Sequence, residues 1–176
     1  MTKLNVPYFS QRDNYRDSWR TCFSSSCAML LKFLKPEAIT GDDDYIRSVF
    51  RNGDTTSSAV QLRTLGQYGV KGRFVDNINT DILKQQIDRG FPVPVGILHK
   101  GTAWNPTGGG HWLVVIGYDD EGFIVNDPWG QISHSTGEYL STNGESVKYS
   151  YDLMGSRWTV YGTSDGWAIL VDGVTQ

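Results

Sequence analysis

Apolar positions recur at a helical spacing through residues 22–34, which predicts the first and longest helix of the chain. Cys27, Leu30 and Leu31 lie on one stripe of this segment, and Met29 adds apolar surface behind that stripe. A helix that is apolar on nearly all sides is buried. We therefore expect this helix to lie at the centre of the fold.

Three shorter helices are predicted in the first half of the chain from their caps and stop signals. One opens with the acidic turn 42–44, which suits the positive end of a helix dipole. The next ends before Gly69, because glycine readily adopts the left-handed conformation that stops a helix. The last is capped by Asn79 or Thr80 and ends at Gly90.

Strands are predicted from residue 91 onward, where β-branched and aromatic residues replace the helical spacing. They are the segments 93–98, 111–118, 122–127 and 166–171. The turn 119–122 joins two of them into a hairpin, and 150–157 is predicted as one or two helical turns. Helices followed by an antiparallel sheet predict an α+β fold, which we expect to form one domain over residues 1–176.

The composition suits a globular domain and argues against several classes of partner. The chain has 176 residues, 39% of them hydrophobic, which is enough for one core. The net charge is -3 and the Lys and Arg residues are scattered, so nucleic acid is not an expected partner. No signal peptide is recognised, and no run approaches the ~20 apolar residues of a membrane span. We expect a monomer made in the cytoplasm, from which it would be released by lysis or through a holin.

Cys22 stands where the first helix begins, and this position favours a reactive thiol. The unpaired backbone N–H groups and the positive end of the helix dipole stabilise a thiolate there. Packing gives no reason for a thiol beside the polar residues Thr21 and Ser24, whereas Cys27 falls in the apolar stripe of the core. Because the two cysteines are five residues apart on one helix, they are too distant for a disulfide.

His111 opens a predicted strand and is the candidate base. The glycines at 108–110 precede it and allow a substrate backbone to approach closely. A base on a strand that faces a thiol on a helix is the minimum for cysteine catalysis, although a strand histidine can also be purely structural. His99 and His134 lie in polar loop contexts, and we interpret them as surface residues.

No metal or cofactor site is predicted. The two cysteines and three histidines lack the spacing of a zinc site, and the acidic run 42–44 lacks the alternating ligands of a calcium loop. The glycines before His111 lead into a strand instead of a helix, so they do not form a phosphate-binding loop.

Four segments, in this order, resemble those of the papain-like cysteine peptidases. They are Gln11, Cys22 at a helix start, His111 in Gly-His-Trp-Leu-Val-Val-Ile-Gly-Tyr, and Asp127 in Asn-Asp-Pro-Trp-Gly. The resemblance covers residues 6–129, and the closest branch is the bacteriocin-processing peptidases that cleave double-glycine leaders. It implies a papain-like fold in which a central helix carries the cysteine and packs, with the other N-terminal helices, on a C-terminal antiparallel sheet.

The same resemblance implies a role for each of the four residues. Cys22 would attack the substrate carbonyl, and His111 would act as general base and then as general acid. Asp127 would orient the imidazole of His111. Gln11 would help to form the oxyanion hole.

The chain departs from the family's pattern in two places. Members usually continue after the nucleophile with Gly-Pro-Thr/Ser-Ser, whereas Phe23 and Ser24 precede the serine pair here. Gln11 also lies further from Cys22 than the family's usual half-dozen residues. These differences leave open a changed oxyanion pocket or a loss of activity.

Asn126 is the alternative to Asp127 as the orienting residue. Adjacent side chains on a strand point to opposite faces, so only one of the two can reach His111. The resemblance selects Asp127.

The resemblance implies a cysteine peptidase or amidase that hydrolyses peptide or amide bonds through a thioester intermediate. Without a membrane span, the favoured interpretation is a stand-alone peptidoglycan-peptide hydrolase of bacterial or bacteriophage origin, that is, an endolysin. Two alternatives remain. One is a catalytically silent peptide-binding module of the same fold, and the other is an acyltransferase or transglutaminase-like enzyme.

Overall fold

The apolar run that begins at Cys22 forms the longest helix of the molecule. In the computed structural model, which describes residues 1–176, helix α1 spans Cys22–Leu34 and is buried from its first residue to Leu31. Two of its buried serine hydroxyl groups form hydrogen bonds with side chains outside the helix. Ser24 Oγ lies 2.7 Å from Thr55 Oγ1, and Ser25 Oγ donates to Asp42 Oδ2 at 2.7 Å. The predicted bounds and central position of this helix are confirmed.

Four more helices follow α1, and two of them begin at side-chain caps that the sequence indicates. They are α2 (Asp42–Asn52), α3 (Ser58–Gln67), α4 (Thr80–Asp88) and α5 (Tyr151–Arg157). Ser57 caps α3 by accepting from the backbone of Val60, and Asn79 caps α4 by accepting from the backbone of Ile82. Short 3-10 turns at Gln11–Asp13 and Ser18–Arg20 lead into α1.

One large sheet and two small hairpins contain all the strands. The strands are β1 (Thr2–Lys3), β2 (Val70–Ile78), β3 (Val93–Ile97), β4 (Lys100–Thr102), β5 (Asn105–Thr107), β6 (His111–Tyr118), β7 (Gly122–Asn126), β8 (Gln131–Ile132), β9 (Tyr139–Ser141), β10 (Val147–Ser150) and β11 (Gly166–Val174). The large sheet is antiparallel with the order β10-β7-β6-β3-β11-β2, and β1 also pairs with β6. β4 pairs with β5, and β8 pairs with β9. Helices packed on an antiparallel sheet confirm the α+β class.

Strand β2 was not predicted, and the strict order of helices before strands is therefore wrong in detail. β2 lies between α3 and α4 along the chain, and it pairs only with β11 at one edge of the large sheet. It carries Lys71, Arg73 and Asp76 among its residues, and much of it faces solvent. An edge strand with a charged outer face lacks the apolar alternation by which a strand is recognised.

Strand β6 is apolar at nearly every position because helices cover both faces of the sheet. Leu113 and Val115 belong to the buried cluster that contains residues of α4 and α5. Trp112 and Val114 point to the opposite face, where α1 packs. The register of β6 therefore decides which face of the sheet receives the side chain of His111.

None of the helices is both long and apolar enough to cross a membrane.

Candidate active site

The thiol of Cys22 lies at the N-terminal end of α1, against the start of β6. Its Sγ lies 3.5 Å from the carbonyl oxygen of Gly110. Gly110 has a φ of 90°, a left-handed conformation that suits glycine, and it immediately precedes His111. The cysteine and the histidine that the sequence suggests are thus brought together by the packing of α1 on β6.

His111 is buried between the thiol and a carboxylate. Its Nε2 lies 2.8 Å from Oδ1 of Asp127, and the thiol of Cys22 is close enough to contribute to its pKa. Burial by itself lowers the pKa of His111, but the charge and hydrogen bond of Asp127, together with Cys22, outweigh it and raise that pKa to about 10. The imidazole is therefore held in its protonated form at neutral pH.

The carboxylate of Asp127 is fully buried and accepts hydrogen bonds on both oxygens. In addition to the imidazole, Oδ1 accepts from the backbone N–H of Trp129 at 3.0 Å, and Oδ2 accepts from the hydroxyl of Tyr149 at 2.6 Å. The backbone N–H of Asp127 donates to the carbonyl oxygen of Gly144 at 2.9 Å. A Cβ at position 144 would lie 2.0 Å from the carbonyl oxygen of Asp127, so only glycine permits this approach.

Asn126 points to the opposite face of β7 and does not contact His111. Its side-chain amide donates to the carbonyl of Val6 at 3.2 Å, and its oxygen accepts from the backbone of Ser146 at 2.9 Å. The strand alternation therefore separates the two neighbours as expected. Asp127 is the residue that reaches the imidazole.

Gln11 is buried beside the segment that carries Asp127. Its backbone N–H donates to the carbonyl of Pro128 at 2.9 Å, and its side-chain Nε2 donates to the carbonyl of Ser18 at 2.8 Å. The side-chain oxygen is buried and has no hydrogen-bond partner. Because an amide nitrogen carries two N–H groups, one remains for a further acceptor.

Phe23 explains one departure from the family pattern. Its ring stacks on that of Trp112, with the centroids 3.8 Å apart and the planes 1° apart. Phe23 follows Cys22 in α1, and Trp112 follows His111 in β6. The stack therefore joins the two segments that carry the thiol and the base.

His99 is not the surface residue that the sequence suggests. Its ring stacks on that of His111 with a centroid separation of 4.5 Å, and its Nδ1 lies 2.9 Å from the hydroxyl of Tyr139. The polar neighbourhood in the sequence concealed this position, because β3 pairs Ile97 with His111 and returns His99 to the same face. His134 is also half-buried, and its Nδ1 has no partner.

Two more residues of the site were missed, Tyr149 and Arg157. Arg157 is fully buried, and its guanidinium donates only to backbone carbonyl groups. Neither residue belongs to a recognisable motif. Only the strand pairing and the packing of α5 bring them to this part of the molecule.

The sequence itself identifies the family once it is compared with known proteins. The model of the Peptidase_C39 like family matches residues 3–158, which is most of the chain. The chain belongs to this family. No curated protein is similar to it in sequence.

Solved structures of cysteine peptidases share the fold. A double glycine motif protease from an AMS/PCAT transporter, solved in complex with the leader peptide, is 15% identical with a TM-score of 0.61, covering 97% of this chain and 93% of that chain. The peptidase domain of Streptococcus ComA, a bifunctional ABC transporter involved in quorum sensing, is 19% identical with a TM-score of 0.60, covering 100% of both chains. A cysteine protease of Carica candamarcensis is 14% identical with a TM-score of 0.59, covering 97% and 94%. At these identities the likeness concerns the fold, and it confirms the papain-like architecture.

We predict that iodoacetamide modifies Cys22 much faster than Cys27 at neutral pH. Burial raises the pKa of Cys27, which keeps that thiol protonated within the core, whereas Cys22 begins a helix and lies against the residue before the protonated His111. Peptide mapping by mass spectrometry after timed labelling measures both rates in one sample. Equal, slow labelling of the two thiols would contradict the assignment of Cys22 as the reactive cysteine.

We predict that Phe23→Ala lowers the free energy of unfolding by about 3–5 kcal/mol and also slows the alkylation of Cys22. The loss follows from the cavity left in the core and from the lost stack on Trp112, which fixes α1 against β6. Denaturant unfolding and timed labelling measure the two effects. Phe33→Ala, near the other end of the same helix, is the control: it should reduce stability while leaving Cys22 labelling unchanged. A similar decrease of labelling in both variants would show that the stack has no special role.

Proposed function

We propose that the protein is a cysteine peptidase in which Cys22, His111 and Asp127 form the catalytic triad. The observation that carries this proposal is the buried His111–Asp127 hydrogen bond at 2.8 Å, together with the position of the Cys22 thiol 3.5 Å from the carbonyl oxygen of Gly110, the residue before His111. Membership in the C39-like family and the papain-like fold support it. The triad arrangement is the one that activates a thiol for attack on a carbonyl carbon.

The reaction proceeds by acyl transfer to Cys22. His111 holds the thiol proton, and the thiolate attacks the carbonyl carbon of the scissile bond to form a tetrahedral intermediate. His111 then donates the proton to the leaving amine, which produces a thioester on Cys22. A water molecule, deprotonated by the same imidazole, attacks the thioester and releases the acid. Asp127 keeps the imidazole oriented in each step.

The oxyanion of the tetrahedral intermediate is stabilised by N–H donors next to the thiol. The backbone N–H of Cys22 has no partner within α1, because this residue begins the helix. The unused N–H of Gln11 is the second candidate donor, as the family resemblance implies. Each such donor typically contributes about 3–4 kcal/mol to the transition state.

An apolar cavity beside Gly110 indicates which side chain the substrate presents. The cavity has a volume of about 390 Å³, and Gly110, which contacts Cys22 Sγ, lies in its wall. Trp158, Tyr161 and Trp167 supply aromatic surface, and Asp165 is an acidic group in the same wall. A pocket of this kind accepts a bulky apolar side chain. We propose that the substrate is an extended peptide with such a side chain near the scissile bond.

Peptide cleavage by four proteins tests the function. The proteins are the wild type, Cys22→Ala, His111→Ala and His134→Ala, and the substrates are a peptide with Leu or Phe beside the scissile bond, a Gly-Gly peptide and a peptidoglycan stem peptide. We expect wild type and His134→Ala to cleave with similar kcat/KM, and we expect Cys22→Ala and His111→Ala to lose essentially all turnover. The peptide with the bulky side chain should be cleaved best. Preference for the stem peptide would instead support the endolysin role.

Circular dichroism of each variant separates a loss of catalysis from a loss of folding. Wild-type turnover by folded His111→Ala would contradict the triad. If the wild type hydrolysed none of the peptides, the catalytically silent binding module would be the better interpretation.

We predict that the peptidase activity extends to unusually high pH and that Asp127→Asn shortens this range. His111 must be protonated to donate to the leaving amine, so activity is lost only as pH rises through about 10, the pKa to which Asp127 and Cys22 raise it. Without the negative charge, that alkaline limb should move toward neutral pH, and kcat should fall. The pH profile of kcat/KM measures the shift. Asp120→Asn, an exposed acid in the turn between β6 and β7, is the control and should leave the profile unchanged.

A further inference from the structure

We propose that His99 is a positioning residue for the reaction, because its ring holds the imidazole of His111 in the orientation that both Cys22 and Asp127 require. This inference rests on the proposed peptidase function. It assigns a role to a residue that touches neither the substrate nor the thiol. The contacts of His99 on both of its sides carry the argument.

The first observation is the stack between the two imidazole rings. Their centroids are 4.5 Å apart and their planes differ by 17°, so His99 covers one face of the ring of His111. Tyr139 meets His111 edge-on, with centroids 6.3 Å apart and an angle of 84°. The stacked contact with His99 and the edge-on contact with Tyr139 restrict rotation of the imidazole about its side-chain bonds. The ring nitrogens then stay aligned with the thiol on one side and the carboxylate on the other.

The second observation is that His99 itself is firmly held. Its Nδ1 is 2.9 Å from the hydroxyl of Tyr139, and its backbone N–H donates to the carbonyl of Gly108 at 3.4 Å. The buried guanidinium of Arg157 donates to the carbonyls of Leu98 and Lys100, which flank His99, at 3.2 and 2.9 Å. The buried guanidinium thus fixes the backbone on both sides of His99, which supports a positioning role for this side chain more than a space-filling one.

The guanidinium of Arg157 also connects the turn at His99 to the hairpin formed by β8 and β9. It donates at 2.7 Å each to the carbonyls of Gly101 and His134, and no carboxylate pairs with it. Gly101 lies in β4, and His134 lies between β8 and β9, the strand that carries Tyr139. Arg157 therefore joins the turn that contains His99 to the segment that leads into β9.

The charge state of His99 is compatible with the stack. Burial and the positive charge of His111 lower the pKa of His99 to about 3, so between about pH 3 and pH 10 the ring of His99 is neutral while that of His111 is protonated. The other charged or titratable groups around it are Asp127, Lys100, Arg157 and Tyr139. Burial, followed by the charge of Asp127, raises the pKa of Tyr139, so its hydroxyl stays protonated. A neutral aromatic ring can face an imidazolium without repulsion.

The experiment compares His99→Ala, His99→Phe and His99→Gln with the wild type. Phenylalanine keeps a flat ring against His111 but cannot bond to Tyr139, and glutamine keeps polar atoms but has no ring. We expect His99→Ala and His99→Gln to lower kcat by roughly 10- to 100-fold, with KM little changed, because a misaligned base acts on a substrate that still binds. His99→Phe should recover most of the turnover.

A second readout does not depend on the substrate. The rate at which iodoacetamide modifies Cys22 is measured across pH for the same variants. We expect the rise of this rate to move to higher pH in His99→Ala and His99→Gln and to stay near the wild-type position in His99→Phe, because only an aligned imidazolium stabilises the thiolate. A residue with a purely structural role would change the melting temperature without moving this profile.

The proposal is overturned if His99→Ala keeps the wild-type kcat and labelling profile, or if His99→Gln equals or exceeds His99→Phe. If His99→Ala does not fold, the comparison of Phe with Gln decides by itself. If the wild type cleaves no peptide, the proposed function fails, yet the labelling profiles still show whether His99 aligns the imidazole with the thiol.

Discussion

The aromatic stack between Phe23 and Trp112 is the contact on which the arrangement of the site depends. Each ring belongs to the residue that directly follows a candidate catalytic residue, Cys22 in α1 and His111 in β6. A displacement of the helix along the sheet would separate the rings and, to the same extent, the thiol and the imidazole. Because α1 is buried over most of its length, the stack operates inside a close-packed core that has little freedom to adjust. The position after the nucleophile, where the family usually has glycine, thus serves packing in this chain.

A second constraint is the complete burial of Asp127. A carboxylate without solvent is costly unless hydrogen bonds and a nearby positive charge compensate it. The imidazole, the backbone of Trp129 and the hydroxyl of Tyr149 supply that compensation. The main chain of Asp127 is secured as well, since its carbonyl oxygen accepts from the hydroxyl of Tyr8 at 2.9 Å. The N-terminal segment is therefore part of the scaffold that holds the acid in place.

The sequence was informative where a local pattern determines the structure. Helical spacing located α1, and with it the position of Cys22, and the two-residue period of a strand separated Asp127 from Asn126. Both inferences depend only on neighbouring residues. Strand β2 was not recognised in the sequence because its outer face is charged and it pairs along one edge alone. His99 was wrongly predicted to be a surface residue for a different reason. The register of β3 against β6 brings it to His111, and the polar residues around His99 in the sequence do not indicate that register.

The order of strands in the large sheet also concerns the timing of folding. β11, formed by the last residues of the chain, lies inside the sheet between β3 and β2, and its pairing with β2 joins segments that are separated by about half of the chain. Such distant pairing is slow to form and requires both segments to be present. During synthesis, the strands that support α1 and β6 remain incomplete until the C-terminal segment has left the ribosome. The cleft between α1 and β6 is therefore complete only when residues 166–174 have joined the sheet, so a chain that stopped before them would lack the geometry of the candidate site.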